Sequence, residues 1–265
     1  MGDVHAIVER KGPILTVIMN RPEARNAFSG DMLFRMYEAW RLLDADPELR
    51  CAILTGAAGH FCAGADLKAM RDVTPDAERE RIRGEVPDLH WQALLRHNRP
   101  MKPLLAAVEG YAVAGGTEIL QGTDIRIAGD TAVFGITEAK RGLFPLGGST
   151  IRLRRQIPYT VAAEMLLTAR HVSAQEALGF GLIGRVVPAG RAYEEAVKVA
   201  EQICENGPLA VQAILRSLRE NDESLPEKEA LERELELGWP VFRSEDAREG
   251  PQAFAEKRKP NFKGR

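Results

Sequence analysis

Two glutamates, Glu118 and Glu138, stand twenty positions apart, each behind an apolar segment. The stretch Leu104-Leu105-Ala106-Ala107-Val108 through Ala112-Val113-Ala114-Gly115-Gly116-Thr117-Glu118 reads as a buried strand, a glycine turn and the first turn of a helix. In that turn the charge of Glu118 complements the positive end of the helix dipole, which favours the ionised form and the role of a base. A capping-box glutamate is the bland alternative, but Gly115 has no side chain to complete the box. Glu138 follows Phe134-Gly135-Ile136-Thr137 and precedes Leu143 and Phe144. An apolar pocket there would raise its pKa and keep a proton available. A surface carboxylate paired with Lys140 and Arg141 fits the same spacing equally well.

Two clusters of small residues supply backbone donors. Ala63-Gly64-Ala65, ahead of Asp66, lets a ligand approach the main chain, although a strand-to-helix turn capped by Asp66 is the plainer reading of that run alone. Ala114-Gly115-Gly116 opens a helix whose N-terminus concentrates unpaired N–H groups. If the two clusters form one pocket, they make a two-donor oxyanion hole, each donor contributing roughly 2.7–4 kcal/mol to a developing oxyanion. Two acids beside such donors point to an acid/base enzyme. The five histidines and three cysteines (Cys51, Cys62, Cys204) show no metal spacing. No G-x-G-x-x-G, Walker or G-x-S-x-G motif supports nicotinamide, ATP or serine-hydrolase chemistry.

The elements that must position these residues follow from periodicity. Residues 4–19 alternate as two strands around Gly12-Pro13, and residues 30–45 place Met32, Leu33, Met36, Ala39, Trp40 and Leu43 at helical spacings. A strand at 51–56 precedes a charged, partly helical excursion over 71–101 that leads into a helix near 89–95. Strand 104–113, helix 115–122 and strands 124–128 and 132–135 then predict a layered β/α core. Helices dominate after Pro158: 162–167, 173–178 with Ser173 as N-cap, 191–204 and 208–219. Residues 221–237 are rich in Glu and Leu, and the tail 254–263 is basic with interleaved Phe. A boundary near 195 divides a core, 1–195, from a helical extension, 196–265.

Composition sets the outer limits. A chain of 265 residues, 45% hydrophobic and 28% charged, is that of a soluble globular protein. Its net charge of −2 argues against a general nucleic-acid or anionic-membrane binder. No apolar run approaches the roughly 20 residues of a membrane span. Scattered cysteines and an N-terminus without a signal pattern suit a cytoplasmic setting.

Taken in order, Phe61-Cys62-Ala63-Gly64-Ala65-Asp66-Leu67, Lys102-Pro103, Ala114-Gly115-Gly116-Thr117-Glu118, Phe134-Gly135-Ile136-Thr137-Glu138 and Phe254-Ala255-Glu256-Lys257-Arg258 resemble the crotonase (enoyl-CoA hydratase/isomerase) superfamily, most closely its actinobacterial hydratases. The resemblance implies an α/β spiral of repeated ββα units, with a C-terminal helical region used for trimers and for hexamers built from two trimers. It implies acyl-CoA substrates whose thioester oxygen is held by the N–H groups of Ala63 and Gly115. By the same resemblance Glu118 activates water and Glu138 protonates Cα. The product of syn addition to a trans-2-enoyl-CoA is a 3-hydroxyacyl-CoA, as in fatty acid or lipid side-chain β-oxidation, with no metal or redox cofactor. Ala63, Gly64, Ala65, Asp66 and Leu146 fall on acyl-site positions, and Phe254 and Lys257 on positions that hold the adenine-nucleotide end of CoA, often of a neighbouring subunit. Ala114, Thr117 and Leu146 depart from the common Gly, Cys and Gly. A Δ3/Δ2 enoyl-CoA isomerase is the alternative; an RNA-binding or non-catalytic member would want a lysine-rich helix, whereas 71–101 mixes signs.

Overall fold

The computed structural model describes residues 4–66, 84, 86–220 and 225–265. Strands β1 (Ala6–Lys11) and β2 (Ile14–Met19) form a hairpin around Gly12, whose φ of 57° suits the turn. Helix α1 (Gly30–Ala45) begins at Ser29, whose side chain accepts from the Met32 N–H. It is followed by β3 (Cys51–Gly56) and a short α2 (Leu89–Ala93). Of the excursion expected over 71–101, residues 71–83 and 85 lie outside the described residues, and the helix expected near 89–95 is α2.

From there the chain repeats one unit: β4 (Leu104–Val108), β5 (Tyr111–Val113) and α3 (Gly115–Leu120), then β6 (Ile125–Gly129) and β7 (Val133–Gly135). Each turn contributes its first strand to one sheet and its second to another, so the chain advances as a spiral. The large sheet, completed by β9 (Arg185–Val187), has the order β1-β2-β3-β4-β6-β9 and is parallel except for β1. The small sheet is β5-β7-β8, with β8 at Val172–Ser173. A lone bridge from Cys62 to Ala112 attaches the turn after β3 to it.

Side chains alternate across the large sheet. Ala52, Leu54, Leu104, Ala106 and Val108 face the main core with α1, whereas Cys51, Ile53, Leu105 and Ala107 face a second core. A parallel sheet buried on both faces explains why these strands read as continuous apolar runs. The second core is closed by α7 (Ala192–Cys204), through Ala192, Ala196, Val199 and Ala200.

Three expectations are revised here. The single strand over 104–113 is two strands in different sheets, because Gly110 turns the chain with a φ of 51°. The boundary near 195 falls inside α7, a helix packed on the sheet; the extension starts with α8 (Pro208–Glu220) and continues through α9 (Glu227–Phe242) and α10 (Asp246–Ala255). Between β7 and β8 lie α4 (Ser149–Gln156), which periodicity did not reveal, and α5 (Tyr159–Thr168). Ser173 caps α6 (Ala174–Gly179) as expected, with Glu176 closing a reciprocal capping box.

Candidate active site

The site forms where the segment after β3 meets the start of α3. Glycine is obligatory at two points of that meeting. A Cβ on Gly116 would lie 2.2 Å from the Cys62 carbonyl oxygen, and one on Gly64 would lie 2.8 Å from the Ala114 Cβ and 2.9 Å from the Gly115 nitrogen. The two backbones therefore interlock, with Gly64 at a φ of 86°. Thr117, fully buried, ties this junction to the small sheet: its hydroxyl donates to the Ala112 carbonyl and accepts from the Gly135 N–H at 3.0 Å. Ala114, at the N-cap of α3, takes φ 52° and ψ −127°, a conformation costly for any residue with a Cβ.

The available backbone donors differ in one respect from expectation. The Ala63 N–H donates to the Arg25 carbonyl at 3.0 Å and is not free to hold a ligand oxygen. Two residues on, the Ala65 N–H makes no hydrogen bond among the described residues, and neither does that of Gly115 at the head of α3. The free pair is thus Ala65 and Gly115.

Glu118 and Glu138 line the same cavity, about 1740 Å³ in volume, together with Ala63, Ala65, Asp66, Gly115 and Leu146. Gly64 backs it without lining it. Asp66 is held by Arg21 at 3.0 Å. Phe254 and Lys257 do not line the cavity; Phe254, on α10, is 86% exposed and Lys257 follows that helix. Leu33, Phe34, Val86, Leu89, Trp91 and Leu94, from α1 and around α2, add apolar lining to the cavity. Among the described residues no group of three His, Cys, Asp or Glu side chains could hold a metal.

The acids have different surroundings. Glu118 is 7% exposed; its Oε2 accepts from the Gly147 N–H at 3.0 Å and its Oε1 from the Ser149 N–H at 3.3 Å. A Cβ on Gly147 would meet the Glu118 carboxyl carbon at 2.7 Å, so this approach also needs glycine. Burial pushes the Glu118 carboxyl up from its ordinary value, while the Ser149 and Gly147 donors pull it back down. Glu138 begins a 3-10 turn (Glu138–Arg141) in which the Thr137 and Glu138 N–H groups approach its carboxyl, and its buried Oε2 has no hydrogen-bond partner among the described residues. Burial, then the neighbouring Glu118 charge, pushes Glu138 up to about 7. When protonated, Glu138 can donate to the Glu118 carboxylate. The arrangement suits one ionised and one protonated carboxyl at neutral pH. The donors from 147 and 149 had no place in the sequence reading, which named only Leu146 in that run.

This fold is that of a known class. The sequence matches the enoyl-CoA hydratase/isomerase family over residues 9–265. The chain belongs to that family and has its crotonase-like spiral. It is 57% identical over 261 residues to enoyl-CoA hydratase EchA19 of Mycobacterium tuberculosis, covering 98% of this chain and 97% of the relative. It is 40% identical over 264 residues to a carnitinyl-CoA dehydratase of Proteus mirabilis, covering 96% and 97%. The crystal structure of an enoyl-CoA hydratase from Mycobacterium tuberculosis superposes with a TM-score of 0.89 at 39% identity, covering 99% of this chain and all of the other.

Proposed function

We propose that the protein is an enoyl-CoA hydratase that adds water syn across a trans-2-enoyl-CoA to give the 3-hydroxyacyl-CoA. The observation that carries this reading is the unequal treatment of two facing carboxyls in one cavity: Glu118 cradled by two N–H groups, Glu138 pushed up to about 7. The thioester oxygen sits between the Ala65 and Gly115 N–H groups, which polarise the carbonyl and draw electron density from Cβ. Glu118 takes a proton from the water that attacks Cβ, and the oxyanion of the resulting enolate is held by the same two donors. Glu138 delivers its proton to Cα as the enolate collapses. Both acids act from one wall, so water and proton add to the same face. The step calls on no metal or redox cofactor.

Run backwards, the same groups eliminate water, in keeping with the dehydratase named among the relatives. A Δ3/Δ2 isomerase would need only one shuttling acid, and a second acid with a raised pKa favours hydration. Phe254 and Lys257, outside the cavity, are read as CoA contacts completed across a subunit boundary. The exposed Leu231, Leu235, Trp239 and Phe242 on α9 favour assembly into a trimer or a hexamer. The described helices include none long and apolar enough to cross a membrane.

Loss of the enoyl-thioester absorbance across a panel of trans-2-enoyl-CoAs tests the activity. Replacing Glu118 by Gln is expected to lower kcat at least about 10²-fold, the scale of general base assistance. Near-normal turnover in that variant would remove Glu118 from the step.

A further inference from the structure

The two free donors sit on peptide planes that are anchored in the same way. The Gly64 carbonyl, on the plane that carries the Ala65 N–H, accepts from the Phe28 N–H at 2.8 Å. The Ala114 carbonyl, on the plane that carries the Gly115 N–H, accepts from the Thr117 and Glu118 N–H groups at 2.9 and 3.1 Å. Both peptide bonds are trans, so the C=O and N–H of each plane point in opposite directions. Tying down the carbonyl therefore aims the donor, and it polarises the amide so that its N–H donates more strongly. The anchor of the Gly115 plane is local to α3. That of the Ala65 plane comes from the segment before α1, through the main chain of Phe28.

The side chain of Phe28 reaches the other donor. A Cβ on Gly115 would lie 3.1 Å from Phe28 Cε2, 3.5 Å from Phe28 Cδ2 and 3.5 Å from the Gly64 Cα, so the ring occupies the space beside the Gly115 backbone. Phe28 is 7% exposed and lines the cavity. The segment that carries it is fixed at other points. Asn26, fully buried, accepts from the Arg21 N–H at 2.9 Å and donates to the carbonyls of Ala57 and His60 at 3.0 and 2.7 Å. The Ala63 N–H donates to the Arg25 carbonyl at 3.0 Å, and Arg21 pairs with Asp66 at 3.0 Å. Segment 21–28 and the turn at 57–66 are thus held in register without the ring, which is left to set the distance to Gly115.

We propose that Phe28 is a positioning residue whose ring, braced against Gly115 while its own N–H holds the Gly64 carbonyl, sets the separation of the Ala65 and Gly115 donors. This rests on the reading of those two N–H groups as the pair that holds the thioester oxygen. The donors belong to different elements, and one oxygen must satisfy both at once, so their separation matters as much as their presence. Close packing makes the ring a spacer: removing it leaves a void into which the two backbones can shift. A misplacement of about 1 Å at a reacting centre costs on the order of 10²-fold in rate.

The test pairs turnover of a short trans-2-enoyl-CoA with the infrared stretch of bound hexanoyl-CoA, labelled with ¹³C at the thioester carbonyl and lacking a double bond to hydrate. Two well-placed donors lower that stretch relative to the free thioester. Phe28→Ala is expected to reduce kcat about 10²-fold with KM little changed, and to lose most of the lowering. Phe28→Leu, which keeps an apolar side chain and folds more readily, is expected to move both in the same direction by less. Leu43→Ala, fully buried on α1 and away from the cavity, is expected to keep both. A full carbonyl lowering in both Phe28 variants, with any loss confined to KM, would make the ring a substrate wall and overturn the proposal. So would a change in Leu43→Ala as large as that in Phe28→Leu, which would mean a general loosening of the core. A wild type that binds hexanoyl-CoA without lowering the stretch would overturn the donor pair and the proposal together. A wild type that lowers the stretch but hydrates no enoyl-CoA would sink the functional reading alone, because the stretch decides the spacing without turnover.

Discussion

Replacing Glu138 by Gln should harm catalysis and help folding, and the second effect should depend on pH. Burial and the adjacent Glu118 charge move the Glu138 carboxyl from 4.5 to about 7. At about 1.4 kcal/mol per pKa unit, ionising it within the fold costs about 3 kcal/mol. Glu138 is only half-buried, and water on its open side reduces this to roughly 2 kcal/mol. The folded-state pKa is raised, so the wild-type protein has its full stability below the unfolded-state value near 4.5 and loses it as pH rises towards about 7. Glutamine resembles the protonated acid in shape, still offers Glu118 a donor and never ionises.

The gap in stability between variant and wild type should therefore be small near pH 5 and complete by pH 8.5. For a chain of this size, roughly 2 kcal/mol corresponds to a Tm about 4–8 °C higher for Glu138→Gln at pH 8.5. Thermal melts at both pH values, at one fixed protein concentration because assembly would also shift Tm, read this directly. In the same preparations kcat should fall at least about 10²-fold at either pH, since the amide has no proton to give to Cα. A stability gap that is equal at the two pH values, or a wild type that is the more stable at pH 8.5, would refute the claim that Glu138 is an acid held protonated by its surroundings.

Two further outcomes test the frame around the site. Thr117→Val keeps the shape but leaves the buried Gly135 N–H without its acceptor, and urea denaturation should show a loss of about 2–3 kcal/mol; an unchanged midpoint would mean that this bridge contributes nothing. Ala114→Gly relieves a backbone at φ 52° and ψ −127°, a gain of about 1–3 kcal/mol that the added freedom of the unfolded chain offsets by up to about 1 kcal/mol, so Tm should rise by a few degrees. A lower Tm would show that the alanine methyl packs well enough to outweigh the strain.

What was legible in the sequence, and what was not, divides along the range of the interactions. Glu118 at the head of a helix and the apolar run before Glu138 are local patterns, set by strand and helix periods, whereas the tightness at Gly64 and Gly116 comes from two backbones some fifty positions apart. The division of 104–113 between two sheets turns on one residue, Gly110, whose break is masked by the apolar runs on either side of Glu109-Gly110. The N-terminal end of α4 was hidden because Ser149-Thr150-Ile151-Arg152-Leu153-Arg154-Arg155 has little apolar period, being held at its start by the Glu118 carboxylate and in the core by Leu153.

The choice between Ala63 and Ala65 is of another kind. Both are alanines in the same turn, and only a carbonyl thirty-eight positions upstream, on Arg25, decides which N–H is occupied and which is free. The protonation of the two glutamates is likewise set from outside their own elements, by donors from residues 147 and 149 on one side and by the charge of Glu118 on the other. Exchanging those surroundings would exchange the roles, since the two side chains are chemically identical. The functional asymmetry therefore resides in the α4 N-terminus as much as in the acids, and changes at 147 and 149 should be felt in the pH profile before they are felt in substrate binding.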